Sequence, residues 1–316
     1  MTPHTGNPPC TIPTVSAHSP YFLHRVFKAM GSPCEIKLYA RTRSRAEQVA
    51  QRIIAEVERL EARYSRYRAD SLLSAINRVA ATGGRIEVDE ETAGLLNYVE
   101  ACYHESEGLF DVTSGLLREV WRYSSGRIPT AEAIEPLLQR IGWHRLCWQA
   151  PVLEFPQPGL ELDLGGAVKE YAVDRVVALC WEAGIRHGLV NLGGDIKIIG
   201  PQPDGAPWAI GIRHPRQPGA FIKTLYLGQG AMASSGDYER CIEVNGVRYG
   251  HVLNPRTGWP VAYLAAVSVV ADLCVVAGSA STIAMLKEQA GPGWLQSMQA
   301  PHYWFDVTGS LGGNLA

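Results

Sequence analysis

A chain of 316 residues, 46% hydrophobic and 19% charged, is long enough to bury a large core, and its formal net charge of −2 gives no electrostatic case for a nucleic-acid partner. Seven cysteines scattered without CxxC spacing argue against both a zinc site and a disulfide framework. No apolar stretch reaches the length of a signal segment or membrane span, so the expectation is a cytoplasmic protein with reduced cysteines and no membrane insertion.

In chain order, residues 1–20 form a proline-rich lead-in expected to be mobile, and order is expected from Tyr21 through one folded unit of two intimately packed lobes, 21–316, whose texture changes near residue 150. Glu35 to Ala40 alternates like a half-buried strand. Ser44 followed by Glu47 reads as a capping box, and Val49, Ile53, Val57 and Leu60 keep helical spacing up to Tyr64. A second helix starts near Asp89 and stops by Gly108, and a third covers Ala131 to Ile141. From Leu153 onward short strands are expected at Glu161–Leu164, Leu189–Asn191, Ile196–Ile199, Trp208–Ile212 and Lys223–Leu227, with a helix from Lys169 to Ala183 closed by Gly184. Asn245-Gly246 between two β-rich runs signals a type I′ hairpin. Helices interspersed with hairpins predict an α/β chain of the α+β type, with mixed, largely antiparallel sheets rather than a doubly wound parallel one.

Two glycine pairs stand out, in Leu162-Asp163-Leu164-Gly165-Gly166-Ala167-Val168-Lys169 and in Val190-Asn191-Leu192-Gly193-Gly194-Asp195. Paired glycines let backbone N–H groups approach a phosphate without an intervening Cβ, and a helix starting just after the first pair adds its positive end. One pair alone is more often a tight turn. Two of them, followed by Ser234-Ser235-Gly236-Asp237-Tyr238-Glu239-Arg240 and His251 to Gly258, point to one assembled site for a polar ligand.

These residues carry a resemblance to a known family. Met30-Gly31-Ser32, Ser65-Arg66-Tyr67 with Ser71 and Asn77, Phe110-Asp111-Val112-Thr113, the two glycine motifs, Ser235 to Arg240, His251 to Gly258, and Thr282 late in a small-residue helix together resemble the ApbE-type FAD:protein FMN transferases, in order, over roughly Phe27 to Leu295. The resemblance implies the two-lobed ApbE architecture and a magnesium-dependent phosphotransfer. FAD is bound, FMN is joined to a Thr or Ser hydroxyl of an acceptor flavoprotein, and AMP leaves. It further implies His251 as the base near the transferred phosphate and Lys169 on the phosphates. Gly165, Gly166, Gly193, Gly194 and Ser235 would line the cofactor, Asp237 would help hold the flavin, and Met30 would lie on the adenine side. Tyr67 would lie against the flavin ring, with Asp111 and Thr113 in a loop near the cofactor. For Met30 and Tyr67 a core role, and for Asp111 and Thr113 a capping role, are the alternatives read from the residues themselves.

The chain departs from the family at the metal. There, magnesium is held by a backbone carbonyl after the first glycine pair, an aspartate four residues before the late threonine, and that threonine; here the positions are Ala167, Gly278 and Thr282, so the carboxylate is missing. Asp272 lies outside this register. Glu170 stands where the family has a glycine after the lysine. Either the metal site has decayed, or Glu170 swings in as the replacement carboxylate. Beside the transferase, two other functions stay open: a non-catalytic FAD-binding protein, and a FAD pyrophosphatase using water in place of the acceptor hydroxyl.

Overall fold

Alternation in Cys34-Glu35-Ile36-Lys37-Leu38-Tyr39-Ala40 produces the strand Ser32–Ala40, with Cys34, Ile36, Leu38 and Ala40 all buried. In this computed structural model, which describes residues 20–315, that strand is the second of eight in one sheet. The order across the sheet is Tyr21–Ala29, Ser32–Ala40, His187–Leu192, Asp195–Gly200, Ala231–Gly236, Leu264–Ala271, His302–Asp306 and Leu311–Gly313. Every neighbouring pair in it is antiparallel, as are the pairs in three smaller sheets. The expected lead-in lies outside the described residues except for Pro20.

Among the described residues the α-helices of eight or more residues are α1 (Arg43–Tyr64), α2 (Leu72–Thr82), α3 (Glu90–Glu105), α4 (Ala131–Leu138), α5 (Val168–Glu182) and α6 (Cys274–Leu286). Helices α1, α5 and α6 contact the sheet, and the main core draws on residues from Leu23 to Leu295. Leu189, Ile198 and Met232 point the other way and pack with Ile210, Ile212 and Leu225 of the Trp208–Arg213/Phe221–Leu227 pair. Alternate residues of the central strands are therefore buried on both faces. Among the described residues no helix is long and apolar enough to cross a membrane.

Several local expectations need correction. Thr42, not Ser44, caps α1; it is extended and its hydroxyl accepts the Arg45 amide at 3.2 Å, so Ser44 is already inside the helix. Glu161–Leu164 is not a strand. The Asn77 side chain takes both backbone groups of Leu162, at 2.8 and 2.9 Å, and Asp163 N donates to Val112 O at 2.7 Å, so no ladder partner is left for the segment. The third helix ends at Leu138 rather than Ile141. The Asn245-Gly246 turn joins Cys241–Val244 to Val247–Gly250 with positive φ at both residues, as a type I′ turn requires.

Candidate functional site

The first glycine loop is held from beneath. Asp163 Oδ1 accepts the Gly165 amide at 3.0 Å while its other oxygen pairs with Arg66. The Phe110 ring lies where a Cβ on Gly166 would meet it at 3.5 Å. Asp111 and Thr113 form the scaffold behind that ring. Asp111 Oδ1 accepts both the Thr113 amide (2.8 Å) and hydroxyl (2.7 Å), its Oδ2 accepts the Trp143 amide, and Thr113 Oγ1 accepts the Gly142 amide. Both side chains are buried and their polar atoms are engaged within the protein, so they position the loop from behind. The same Asx turn recurs at Asp306 and Thr308, which accounts for the short Phe-Asp-Val-Thr near-repeat.

The second pair turns between the strands His187–Leu192 and Asp195–Gly200, where φ is +66° at Gly193 and +104° at Gly194. A Cβ on Gly193 would stand 2.8 Å from Cβ of Ser32, which seats the Met30-Gly31-Ser32 turn directly beside this loop. Lys169 joins the two pairs. It lies three residues beyond Gly166, its stem passes Gly193, and its ammonium reaches Asp195 Oδ2 at 2.5 Å. Burial acts to lower its pKa, but the Asp195 and Glu170 carboxylates outweigh that and keep it cationic.

Ser235 and Thr282 meet across the strand Ala231–Gly236 and α6. Ser235 Oγ lies 2.9 Å from Thr282 Oγ1 and 2.8 Å from Ser281 Oγ. Asp237 is buried and grips Arg216 in a two-pronged pair at 2.6 and 2.6 Å, so its carboxylate fixes this loop through Arg216. His251 is open to solvent on one side yet packed by protein on most others; burial and then the Arg240 guanidinium lower its pKa below the usual 6.5, leaving a neutral imidazole.

Glu170 lies on the first turn of α5 and is 8% exposed. Its side chain packs on Gly278 of α6, where a Cβ would stand 2.5 Å from Glu170 Cγ and 3.0 Å from Cδ. Glu170 and Gly278, where the sequence is expected to differ from the pattern it resembles, thus touch each other. Ala167 is the N-cap residue of α5, and its carbonyl accepts the Tyr171 amide at 2.9 Å. Thr282 is one turn beyond Gly278. Burial, and after it the charge of Asp195, hold the Glu170 carboxyl well above the ordinary range; burial likewise raises Asp195 against the pull of Lys169. Among the described residues no three His, Cys, Asp or Glu side chains converge as a metal cluster.

Tyr67 is 76% exposed, which sets aside the core alternative, and the Arg66 guanidinium lies 5.1 Å from its ring centroid. Arg66 therefore connects this free aromatic face to Asp163 and the first glycine loop. Met30 packs partly against the core with φ +50°. The sequence reading did not single out three cations here. Arg66 holds Asp163, Arg213 Nη2 lies 3.8 Å from a Cβ built on Gly194, and Arg240 Nη2 lies 3.7 Å from one on Gly31. Arg66 and Arg240 stood inside the quoted motifs, whereas Arg213 ends a strand outside them.

Glycine turns from three separate segments thus lie near one lysine and three arginines, a combination suited to a polyanion. The ApbE family profile matches residues 30–304, and the chain belongs to the ApbE family. It is similar to the FAD:protein FMN transferases of Haemophilus influenzae (28% identical, 81% of this chain and 78% of the relative) and Chlamydia pneumoniae (31%, 75% and 76%). Among solved structures it resembles the ApbE protein of Thermotoga maritima, with TM-score 0.84 and 30% identity over 93% of this chain and 97% of that one. The flavin transferase ApbE of Vibrio cholerae superposes with TM-score 0.83 at 26% identity, over 93% and 97%. These likenesses agree with the mixed antiparallel fold expected from the sequence.

Proposed function

We propose that this protein transfers FMN from FAD to a Thr or Ser hydroxyl of an acceptor flavoprotein, releasing AMP. The observation that carries the reading is Lys169, which joins both glycine loops in the fold. The acceptor oxygen attacks the FMN-side phosphorus, a new P–O ester bond forms, and the bond to the AMP phosphate breaks. His251, neutral and solvent-reached, takes the hydroxyl proton. Lys169 and the amide of Gly166 balance charge on the phosphate oxygens, while the amides of Gly165, Gly193 and Gly194 are taken by Asp163, Pro33 and Asn191 and shape the two loops around them. Met30 packs on the adenine and Tyr67 on the flavin ring. Ser235, fixed to Thr282, lines the cofactor's phosphate side, and Asp237 with Arg216 holds the loop around the flavin.

The residues at the α5–α6 contact fit a magnesium ion. Glu170 Oε2 is buried without a hydrogen-bond partner, and the hard oxygen donors that the resemblance implies, Ala167 O and Thr282 Oγ1, lie at the start of α5 and on α6. When bound, the ion would neutralise pyrophosphate charge. Glu170 supplies the carboxylate that Gly278 lacks.

Chromatography of FAD incubated with protein and an acceptor domain, with magnesium or with chelator, tests this reading. AMP together with magnesium-dependent protein-bound flavin is expected. AMP with only free FMN would make it a pyrophosphatase, and intact FAD a binding protein.

A further inference from the structure

Aromatic residues flank the His251–Gly258 loop in sequence, Tyr249 before it and Trp259 after it, and the distant segment Trp121-Arg122-Tyr123 meets both. The buried Trp121 ring lies 6.0 Å from that of Tyr249 and 5.4 Å from that of Trp259, so the two stems of the loop close on one indole. Its Nε1–H donates to Gly258 O at 2.7 Å. Tyr123 stacks on the same indole at 6.2 Å, and its hydroxyl donates to Gly250 O at 2.7 Å. A side chain at Gly258 would strike Ile134 Cγ2 at 2.2 Å, so the far end of the loop presses directly on α4.

The bond to Gly250 falls where the hairpin cannot supply one. With the turn at Asn245-Gly246, the pairs Val244/Val247 and Ile242/Tyr249 carry the ladder hydrogen bonds, so Gly250, opposite Cys241, turns its carbonyl outward. Tyr123 takes that carbonyl one residue before His251, and burial raises the phenol's pKa, so it stays a donor across the neutral range. Val252 reaches the main core, to which the helix of Lys169 also belongs, while Tyr249, Leu253 and Trp259 pack on a separate core of Leu117, Trp121, Ile134 and Leu137. The loop thus bridges two cores, and the Trp121 and Tyr123 hydrogen bonds hold both its ends to the second. From this seating we infer that Tyr123 and Trp121 are positioning residues for His251: they fix the backbone that aims the imidazole at the acceptor hydroxyl. The inference deepens the transferase reading and rests on it for the proton that His251 takes.

AMP release by the full chain with FAD, magnesium and an acceptor domain, beside an NMR titration of the His251 ring assigned by its loss in His251→Ala, tests the seating. Tyr123→Phe deletes only the hydroxyl, and a circular dichroism melt confirms that the variant is folded. It should lower kcat about tenfold or more, with the KM for FAD within about twofold of wild type. In a His251→Ala background the same change should cost less than about twofold. Burial, Arg240 and Lys169 push the His251 pKa down and Glu239 pushes it up, so a ring released toward water should titrate nearer 6.5 in Tyr123→Phe than in wild type. Trp121→Phe, which removes the donor to Gly258, should move kcat and the titration in the same directions. A His251 titration or a kcat unmoved by Tyr123→Phe, or an equal loss of rate in the His251→Ala background, overturns the inference. A wild type that releases no AMP overturns the transferase reading instead, and the His251 titration then decides the positioning by itself.

Discussion

Replacing Gly278 by alanine places a methyl carbon 2.5 Å from Cγ and 3.0 Å from Cδ of Glu170. The contact is with the middle of a side chain only 8% exposed, so the carboxylate cannot relieve it by turning to water. Overpacking of this kind costs about 1–3 kcal/mol, and a glycine-to-alanine change inside a helix contributes about 1 kcal/mol in the other direction. Gly278→Ala is therefore expected to destabilise by up to about 2 kcal/mol. In a Glu170→Ala background the clash is gone, and the same change should stabilise by about 1 kcal/mol. Urea denaturation of wild type, both single variants and the double variant yields the coupling, expected at about 1–3 kcal/mol with a change of sign. Additivity within about 0.5 kcal/mol would refute the claim that Glu170 fills the space over Gly278.

Other consequences follow from the same geometry. Because burial and Arg240 lower the His251 pKa, its base form persists below pH 6.5, so the acid limb of AMP release should fall below that value. His251→Ala should reduce the rate by about 10²–10⁴-fold, and a limb left in place in that variant would contradict the assignment. Tyr67→Ala should leave the melting temperature unaltered, since the ring is exposed, while weakening FAD binding about two- to tenfold in a fluorescence titration. Unchanged affinity would remove Tyr67 from the flavin site. Arg216→Ala leaves the buried Asp237 carboxylate without its partner and should destabilise by about 2 kcal/mol or more, allowing for the partly exposed guanidinium. Chemical denaturation measures it, and a loss under about 0.5 kcal/mol would mean that the pair does not hold the loop.

Backbone chemistry made much of this fold legible. Positive-φ residues at Asn245-Gly246 and Gly184 fixed a hairpin and the end of α5, and apolar spacing fixed α1 and α3. The Glu161–Leu164 segment misled because its alternation is that of a strand, while Asn77, some 85 residues away in sequence, takes the hydrogen bonds a neighbouring strand would need. By contrast α2 was not anticipated although its 11 residues carry the signals of a helix, with Ser71 as N-cap and Leu73, Ile76 and Ala80 buried on one face. At the site, glycines and Lys169 were visible because their motifs demand those residue types. Asp195 stood inside a quoted motif, yet its pairing with Lys169 depends on the meeting of α5 and the sheet. Arg216 and Arg213 were invisible for a related reason: an arginine's partner is set by tertiary contact, and neither lies in a motif.

The account turns on covalent transfer to another protein. The most direct test is intact-mass analysis of an acceptor domain after incubation with this protein, FAD and magnesium, beside the same domain with its target Thr replaced by Val. One added FMN is expected on the Thr form, none on the Val form, and none when His251 is replaced by alanine. Flavin that dissociates on denaturation, with the acceptor mass unchanged, would contradict it.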